Sequence, residues 1–345
     1  MEKGMDVYGL EEKELSAITA LQRGIPLSER PFAELGAGVG MSEEDVLVLL
    51  AKLQKKGILR RVGGIFDARR LGWRSVLCAA SAHGEALKRA ARAACVCPGV
   101  THCYTRVPFE TLPDGEGSPY PNLWFTLATP TAMFERELDA LQNEFDGIGI
   151  LTLPALRRFK IDVVFDLRTR ERDETTETSP SPLKRDDDSI VMLPTENDLA
   201  VIRSMQGGMP LVRDFYAVAA EAAGCSLPDV LARLREWKGR GVLRRVALIL
   251  QHREAGYHAN GMCCWDLPPV KVAEAGRRLA SFQEVTHCYE RPRSDVFPFR
   301  LYAMIHTGDY ASTQRLFERL SLEAGLDGGE LLLSLREYKK TSLVF

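Results

Sequence analysis

Apolar residues recur every three to four positions in three short stretches at the start of each half of the chain, which is the spacing of amphipathic helices. The pattern predicts helices over residues 11–22, 30–37 and 42–56, and again over 196–206, 212–223 and 226–240. The third helix of each set begins at a serine with an aspartate three residues later, as in a capping box. An apolar run follows each set, ILRRVGGIF and VLRRVALIL. Three short helices and a β-hairpin predict a winged helix-turn-helix.

The rest of each half reads strand, helix, strand, strand, helix, strand. The strands of the first half are SVLCAAS, VTHCYTRV, NLWFTLAT and ALRRFKIDVVFDL, and those of the second half are GMCCWDL, EVTHCYER, RLYAMIHT and LLLSLREYKKTSLVF. This is the βαββαβ order of a ferredoxin-like domain, in which two helices cover one face of the sheet. The predicted fold class is therefore α+β, a tandem repeat of a winged helix-turn-helix and a ferredoxin-like βαββαβ domain.

The two halves are copies of one another, because four motifs recur in register. LQRGIPL at 21–27 returns as MQGGMPL at 205–211, GILRRV at 57–62 as GVLRRV at 241–246, THCYTR at 101–106 as THCYER at 286–291, and LRRFK at 156–160 as LREYK at 335–339. Internal similarity of this kind indicates a duplicated unit. Since the uncovered face of each sheet needs a partner, we expect the copies to form an intramolecular pseudo-dimer, with a further homodimer of whole chains left open.

A segment rich in charge, Ser, Thr and Pro separates the copies at 168–189 and has too few apolar residues to form a core. It predicts a flexible linker. The predicted domains are two winged helix-turn-helix units over 1–62 and 193–246, two ferredoxin-like units over 63–168 and 247–345, and a linker over 169–192.

Composition limits the class of protein. The 345 residues are 45% hydrophobic and 27% charged, which is ordinary globular usage. No apolar stretch reaches the roughly 18–20 residues of a membrane helix, and the acidic N-terminus lacks the basic region of a signal peptide. The eight cysteines show no CxxC pair and no zinc-ligand spacing, which favours reduced, structural thiols. We therefore expect a cytoplasmic protein without a membrane partner.

Local charge argues against nucleic acid as a partner. Residues 1–56 carry seven basic and ten acidic side chains, and residues 193–240 carry six of each. The helix that would enter the major groove begins Ser42-Glu43-Glu44-Asp45, and DNA phosphates would repel these three carboxylates. A DNA-binding regulator is thus an alternative and not the leading interpretation.

Histidine, tyrosine and arginine stand at matched places in the two sheet domains, and strand alternation puts each set on one face. The first set is His102, Tyr104 and Arg106, and the second is His287, Tyr289 and Arg291. Tandem arginines lead into both domains, Arg60–Arg61 and Arg244–Arg245. Only the second copy adds His252, His258 and His306. This asymmetry favours one competent site, with the other copy as a scaffold.

Several motifs resemble the siroheme decarboxylase family. RRVGGIFDARRLGWRSVLCAA, PGVTHCY, NLWFTLATP and GILTLPALRRFKIDVVFDL look like one of its subunits, and LRRVALILQHREAGYHANGMCCWDLP, VTHCYERPR, PFRLYAMIHT and LREYKKTSLVF look like the other. The resemblance spans nearly the whole chain outside the linker. It implies Lrp/AsnC-type architecture with both subunit types fused. It also implies removal of CO₂ from two acetate side chains of siroheme, giving didecarboxysiroheme for heme or for the specialised heme of nitrite reductase.

The resemblance and the residue pattern together assign roles to named side chains. The expected catalytic residues are His252, His287 and His306. The expected substrate-binding residues are Arg61, His102, Arg106, Arg244, Arg245, Arg253, Tyr289 and Arg291. An axial ligand for the iron of the substrate is left open between His258 and His287. No cofactor is expected beyond this iron-containing substrate.

The expected chemistry fits these residue types. Arginine binds carboxylates through paired hydrogen bonds, which suits a tetrapyrrole with many carboxylate arms. Loss of CO₂ leaves a carbanion that the conjugated macrocycle can delocalise. A histidine that nearby carboxylates keep protonated can then deliver the proton. The alternatives are a Lrp/AsnC-like DNA-binding regulator and a heme-binding sensor without turnover.

Overall fold

The computed structural model describes residues 9–113, 117–161, 164, 167, 191–251 and 257–345. The helices within these ranges are α1 (Glu12–Arg23), α2 (Pro31–Val39), α3 (Glu43–Lys55), α4 (Gly84–Val96), α5 (Phe134–Glu144), α6 (Glu196–Gln206), α7 (Ala217–Ala222), α8 (Leu227–Gly239), α9 (Pro269–Ser281) and α10 (Tyr310–Ala324). The strands are β1 (Leu59–Phe66), β2 (Trp73–Ala80), β3 (Val100–Pro108), β4 (Leu123–Pro130), β5 (Leu151–Leu153), β6 (Arg157–Ile161), β7 (Leu243–Leu250), β8 (Ala259–Trp265), β9 (Val285–Glu290), β10 (Leu301–Thr307) and β11 (Gly329–Lys340).

The three helices at the start of each copy, α1–α3 and α6–α8, form a helical head, and the two heads share one apolar core. Ser42 caps α3, because its hydroxyl accepts the amide N–H of Asp45 at 3.1 Å, as the capping-box pattern predicts. Buried residues of both heads belong to a single cluster, in which Phe32 and Phe215 make an edge contact with ring centroids 5.3 Å apart. The heads are therefore packed against each other.

One helix is shorter than its apolar spacing predicts. The expected helix over 212–223 is wrong in extent, since α7 begins only at Ala217. The residues before it form turns, with the amide of Val212 donating to the carbonyl of Pro210 and that of Ala217 to Asp214, both at 3.0 Å. Aspartate favours turns and proline donates no hydrogen bond, so these residues override the helical spacing.

The prediction of a β-hairpin in each head is wrong, because the described residues form no such hairpin. Instead β1 pairs antiparallel with β7 of the other copy, from Leu59 opposite Leu250 to Phe66 opposite Leu243. A lone strand leaves its backbone N–H and C=O groups unpaired, and the matching strand of the other copy satisfies them. After β1 the chain makes a 3-10 turn at Ala68–Leu71. The wing is thus a two-stranded ribbon to which each copy contributes one strand.

The remaining strands form one sheet with the order β5-β2-β4-β3-β11-β8-β10-β9-β6. The first four strands come from the first copy and the next four from the second, each set in ferredoxin-like order, which confirms the predicted fold. The strand predicted from ALRRFKIDVVFDL as the fourth of the first unit is wrong in its partner, because β5 takes that place and β6 pairs with β9 of the other copy. At the two junctions β3 pairs with β11 and β9 pairs with β6. Each junction joins a strand of one copy to a strand of the other.

This sheet is curled, because its two end strands are neighbours in sequence. Only residues 154–156 connect β5 with β6, which stand at opposite ends of the strand order. The amide of Leu156 donates to the carbonyl of Glu290 at 2.8 Å, which extends the pairing of β6 with β9 into this connection. Helices α4, α5, α9 and α10 pack on the outer face, while a smaller apolar cluster with Trp124 and Tyr302 lines the inner face. The histidine and tyrosine of each THCY motif, together with Arg106, lie on this inner face.

Candidate active site

The two THCY strands present their polar side chains to the inside of the curled sheet. On β3, the side chains of His102, Tyr104 and Arg106 lie opposite to that of Cys103, which packs against the helices. The equivalent residues of β9 follow the same alternation. In each copy the histidine and tyrosine rings are stacked with centroids 6.3 Å apart. The structure thus confirms the predicted shared face.

Arg106 is a buried cation that pairs with no carboxylate of the described residues. The residue is only 7% exposed. Its Nη1 lies 3.6 Å from Sδ of Met304 on β10, and its guanidinium carbon lies 5.4 Å from the ring centroid of Tyr104. Burial lowers the pKa of Arg106, since desolvation disfavours the charged form. A guanidinium in this position is suited to bind an anionic group that enters from outside.

A row of polar side chains crosses the inner face between β11 and β9. Oγ of Ser334 donates to Oδ1 of Asn260 at 3.3 Å, and Nδ2 of Asn260 lies 2.9 Å from Nε2 of His306. Nδ1 of His306 lies 3.4 Å from the hydroxyl oxygen of Thr286. Nδ1 of His287 lies 3.1 Å from the same oxygen. The row therefore links two histidines with expected catalytic roles through one threonine.

His102 is neutral in the protein without a ligand. Burial lowers its pKa to about 4, and the positive charges of Lys340, Arg60 and His287 act in the same direction. Its Nδ1 lies 2.9 Å from the hydroxyl of Thr101. Nearby carboxylates are expected to keep a catalytic histidine of this site protonated, but the charges that act on His102 are cations of the protein itself.

A second basic cluster surrounds a buried carboxylate. Asp67 is 4% exposed, and its Oδ2 accepts from Nη1 of Arg158 at 3.1 Å and from Nη2 of Arg244 at 2.9 Å. Burial on its own raises the pKa of Asp67, but the charges of Arg244, Arg158 and Arg69 hold that pKa below its ordinary value. The same three arginines oppose the rise that burial causes in the pKa of Tyr289. This cluster joins the two copies, since Arg244 belongs to the second and Asp67 to the first.

Arg61 and Arg245 lie elsewhere on the β1–β7 ribbon. Arg61 packs beside Gly208 of the second head, and burial lowers its pKa to about 10. Arg245 stands opposite Ile65, next in sequence to Arg244 and therefore on the other face of the strand. Of the tandem arginines in the first copy, Arg60 is the one whose positive charge contributes to the lowered pKa of His102.

The other expected site residues are placed as follows. Arg291 donates from Nη1 to the carbonyl of Leu153 and lies over the ring of Tyr289, with its guanidinium carbon 4.9 Å from the centroid. His258 is exposed just before β8. His252 and Arg253 lie outside the described residues.

The residues that contact these histidines and arginines were not predicted from the sequence. Thr286 precedes the histidine in the THCY motif of the second copy, and its recurrence as Thr101 was a signal for it. Asn260 and Ser334 gave no signal, because they meet only through strand register. Arg158 reads as surface charge in the sequence, yet it is ion-paired to a buried carboxylate.

Three features are absent from the described part of the chain: a metal-ligand cluster, a disulfide and a membrane-spanning helix. No three His, Cys, Asp or Glu side chains converge there as metal ligands would. All eight cysteines are free thiols. No described helix is both long enough and apolar enough to cross a membrane.

Comparison with protein families gives a match for both parts of each copy. The AsnC-like ligand binding domain matches residues 70–160 and 254–339. The siroheme decarboxylase NirDL-like HTH domain matches residues 13–60 and 198–244. These paired matches confirm the predicted tandem repeat of two domain types.

Individual relatives match over most of the chain. A siroheme decarboxylase of Hydrogenobacter thermophilus is 34% identical over 94% of this chain and 92% of its own length. The crystal structure of siroheme decarboxylase NirDL in complex with an iron-uroporphyrin III analogue superposes with a TM-score of 0.69, at 30% identity over 96% of this chain and 94% of that one. A siroheme decarboxylase beta subunit of Methanosarcina barkeri is 34% identical over 43% of this chain and 97% of its own length.

Proposed function

This chain belongs to the siroheme decarboxylase family and is a carboxy-lyase, and from that premise we propose that the polar inner face of its curled sheet is where siroheme loses CO₂. Two acetate side chains would become methyl groups, giving didecarboxysiroheme. The reaction is non-oxidative, because each lost carboxylate is replaced by a proton.

The observation that carries this proposal is the buried guanidinium of Arg106. Holding a cation away from water without a counter-charge costs free energy, so such a group is kept where an anionic ligand supplies the missing partner. An acetate or propionate arm of the tetrapyrrole has the charge and the two oxygens to pair with it. The polar row from Ser334 to His287 begins beside Arg106, since Ser334 is its partner in strand register.

The proposed step breaks the bond between the methylene carbon and the carboxylate carbon of an acetate arm. CO₂ leaves, and the electron pair stays on the methylene carbon, where the conjugated macrocycle delocalises it. A proton from a histidine then forms the methyl group. His287 and His306 are the candidates in the described part of the site, and His252 keeps its predicted catalytic role.

The remaining binding roles stay predictions. Neutral His102 and the neighbouring Arg106 would contact the macrocycle and one of its arms. Arg244, Tyr289 and Arg291 would face other arms, and Arg61, Arg245 and Arg253 complete the expected set. The axial ligand of the substrate's iron remains open between His258 and His287, and the absence of any further cofactor remains a prediction.

The test is anaerobic incubation of the purified chain with siroheme, followed by mass analysis of the tetrapyrrole. Loss of two CO₂ supports the proposal, whereas binding without a change in mass would point to a heme sensor. His306→Ala and His252→Ala should each lower turnover more than siroheme affinity. Full turnover in both variants would refute the histidine assignment.

A DNA-binding regulator is the second candidate, and the heads argue against it. The first turn of α3 carries Glu43 and Glu44. Arg213 of the other head pairs with Glu44 at 2.5 Å and approaches Glu43 at 4.0 Å. The end of the helix that would meet DNA is thus acidic and already in contact with the second head. Tight, sequence-specific gel shifts at physiological salt would overturn this conclusion.

We further propose that the two copies act as an intramolecular pseudo-dimer. Support comes from the three strand pairings that join them, β1 with β7, β3 with β11, and β6 with β9. A further homodimer and the cytoplasmic location stay predictions.

A further inference from the structure

Thr286 fixes where two histidines carry their hydrogen atoms. Its hydroxyl donates to the carbonyl of Met304 at 3.1 Å. Since a hydroxyl has a single hydrogen, the oxygen of Thr286 acts as an acceptor toward Nδ1 of His287 at 3.1 Å and Nδ1 of His306 at 3.4 Å. Both rings therefore keep a hydrogen on Nδ1.

Asn260 fixes the other nitrogen of His306. Ser334 donates to Oδ1 of Asn260 at 3.3 Å, which leaves Nδ2 of the amide directed at Nε2 of His306, 2.9 Å away. An amide nitrogen can only donate, so Nε2 of the neutral His306 is the acceptor. Both ring nitrogens of His306 thus contact polar groups of the protein, and this agrees with the tautomer that Thr286 selects.

The first copy has only part of this arrangement. Thr101 lies 2.9 Å from Nδ1 of His102, as Thr286 contacts His287. The strand register, however, places Ala128 at the position of His306 and Ser75 at the position of Asn260, because the Ser75–Ala128 pair of β2 and β4 corresponds to the Asn260–His306 pair of β8 and β10. Among the described residues, the shared threonine contact between two histidines exists only on β9.

We propose that Thr286 and Asn260 are positioning residues of the reaction, with Nε2 of His287 as the atom that exchanges the proton with the substrate and His306 acting on it through Thr286. This inference rests on the proposed decarboxylation, and it excludes His287 as the axial ligand of the substrate's iron because both of its ring nitrogens then have other partners. Nδ1–H of each ring is committed to Thr286, so the proton for the methylene carbon comes from the opposite nitrogen of the imidazolium. His306 and Asn260 hold the threonine oxygen in the geometry that orients His287.

The chain provides a matched pair of variants, because Thr286 and Thr101 are 4% and 6% exposed and each contacts a histidine. Full-length Thr286→Val, Thr286→Ser and Thr101→Val proteins are compared with the wild type in anaerobic siroheme turnover. We expect Thr286→Val to lower kcat about tenfold or more, since the loss of a hydrogen bond to a charged group is worth about 1.5–3 kcal/mol. KM should change little, and Thr286→Ser should restore kcat. Thr101→Val should lose clearly less.

The pH profile of kcat distinguishes a threonine that orients His287 from one that only stabilises the strand. An acceptor at Nδ1 stabilises the imidazolium, so its removal lowers the histidine pKa. The alkaline limb of kcat should therefore move to lower pH in Thr286→Val and stay in place in Thr101→Val. Urea unfolding of both variants controls for lost stability.

The inference is overturned if Thr286→Val keeps wild-type kcat, or if Thr101→Val loses as much. It is also overturned if Thr286→Val raises KM and leaves kcat and the pH profile unchanged. Failure of the proposed function is a separate result, because it appears in the wild-type protein as siroheme of unchanged mass before any variant is compared.

Discussion

At the scale of single residues, the site depends on charges kept in unusual surroundings. Arg106 is buried beside Met304 and Tyr104, and His102 is neutral among cations. The unpaired charge of Arg106 costs stability, and His102 does so only below pH 6.5, where the unfolded chain binds a proton that the buried ring does not. A polyanionic ligand would favour the charged form of both groups. Replacing such a residue should therefore change stability and ligand affinity in opposite directions.

Arg106→Met should raise the stability of the protein without ligand and lower its affinity for a tetrapyrrole. Methionine fills a similar volume without a charge, so we expect the empty protein to become more stable by about 1–2 kcal/mol. Affinity for an iron-uroporphyrin should fall roughly tenfold to a hundredfold, as for the loss of a charged hydrogen bond. Urea midpoints and absorption titrations measure the two effects. A variant that is less stable, or that binds as tightly as the wild type, contradicts the interpretation of Arg106 as an unpaired cation.

His102 should make the folded protein sensitive to mild acid. Its pKa of about 4 lies below the unfolded value of 6.5, so the unfolded chain binds more protons between these two values. Stability from this group is present above pH 6.5 and is lost as the pH falls toward 4, by up to roughly 2 kcal/mol at pH 5. His102→Gln should lose less stability than the wild type between pH 7.5 and pH 5 in urea unfolding. Equal losses in the two proteins would show that His102 is not the group responsible.

The sequence predicted which candidate side chains share a strand face better than it predicted the residues that contact them. Alternation along a strand is a local property, so the shared face of His102, Tyr104 and Arg106 could be read from the letters. Asn260 reaches His306 only because β8 and β10 pair in one register. A single sequence does not specify the register between strands that are about forty residues apart, so this contact could not be predicted.

At the scale of elements, the heads and sheets differ in how far local patterns decide the structure. Capping boxes and helical spacing predicted α3 and α8 closely, because the signals lie within each helix. The wing was mispredicted, because β1 finds its partner in β7 of the other copy and not in the following residues. Whether a strand pairs locally depends on the competing partner, which the strand's own sequence does not contain.

The end of the β1 strand offers a test at this scale. Asp67 follows β1 and Gln251 follows β7, and their amides donate to the equivalent carbonyls of Val242 and Ile58, both at 2.8 Å. Asp67→Asn should destabilise the protein by about 3–5 kcal/mol, because Arg158 and Arg244 lose their buried counter-charge.

Gln251→Asn is the matched control for that change. Gln251 is exposed, so its replacement should alter the free energy of unfolding by less than about 0.5 kcal/mol. Urea unfolding at neutral pH measures both variants. Similar stabilities for the two would mean that the Asp67 cluster adds nothing to the joining of the copies.

At the scale of the whole molecule, the copies are interleaved and not merely adjacent. Strands from both copies alternate at two junctions of one sheet, and both heads share one apolar core. The duplication itself was visible in the sequence from four recurring motifs. The way in which the copies exchange strands was not, because it depends on pairing between strands that lie far apart in the chain.

Interleaving predicts that the peptide link between the copies is dispensable. Residues 1–167 and 191–345, expressed together as separate chains, should co-purify as one complex and decarboxylate siroheme. Size-exclusion chromatography with mass measurement and a turnover assay test this. Elution of the two fragments as separate folded monomers would contradict the shared core and the strand exchange.

The place of β11 has a consequence for how the protein is made. This most C-terminal strand occupies the fifth of nine positions in the sheet, between β3 and β8. During translation all the other described strands leave the ribosome before this one, which forms one of the two sheet junctions between the copies. The edges of β3 and β8 that pair with β11 therefore have no such partner until β11 is synthesised. Exposed strand edges are prone to aggregation. Loss of residues 329–340 would therefore open the sheet in its middle, between β3 and β8, and leave the pairing of β6 with β9 as the sheet junction between the copies.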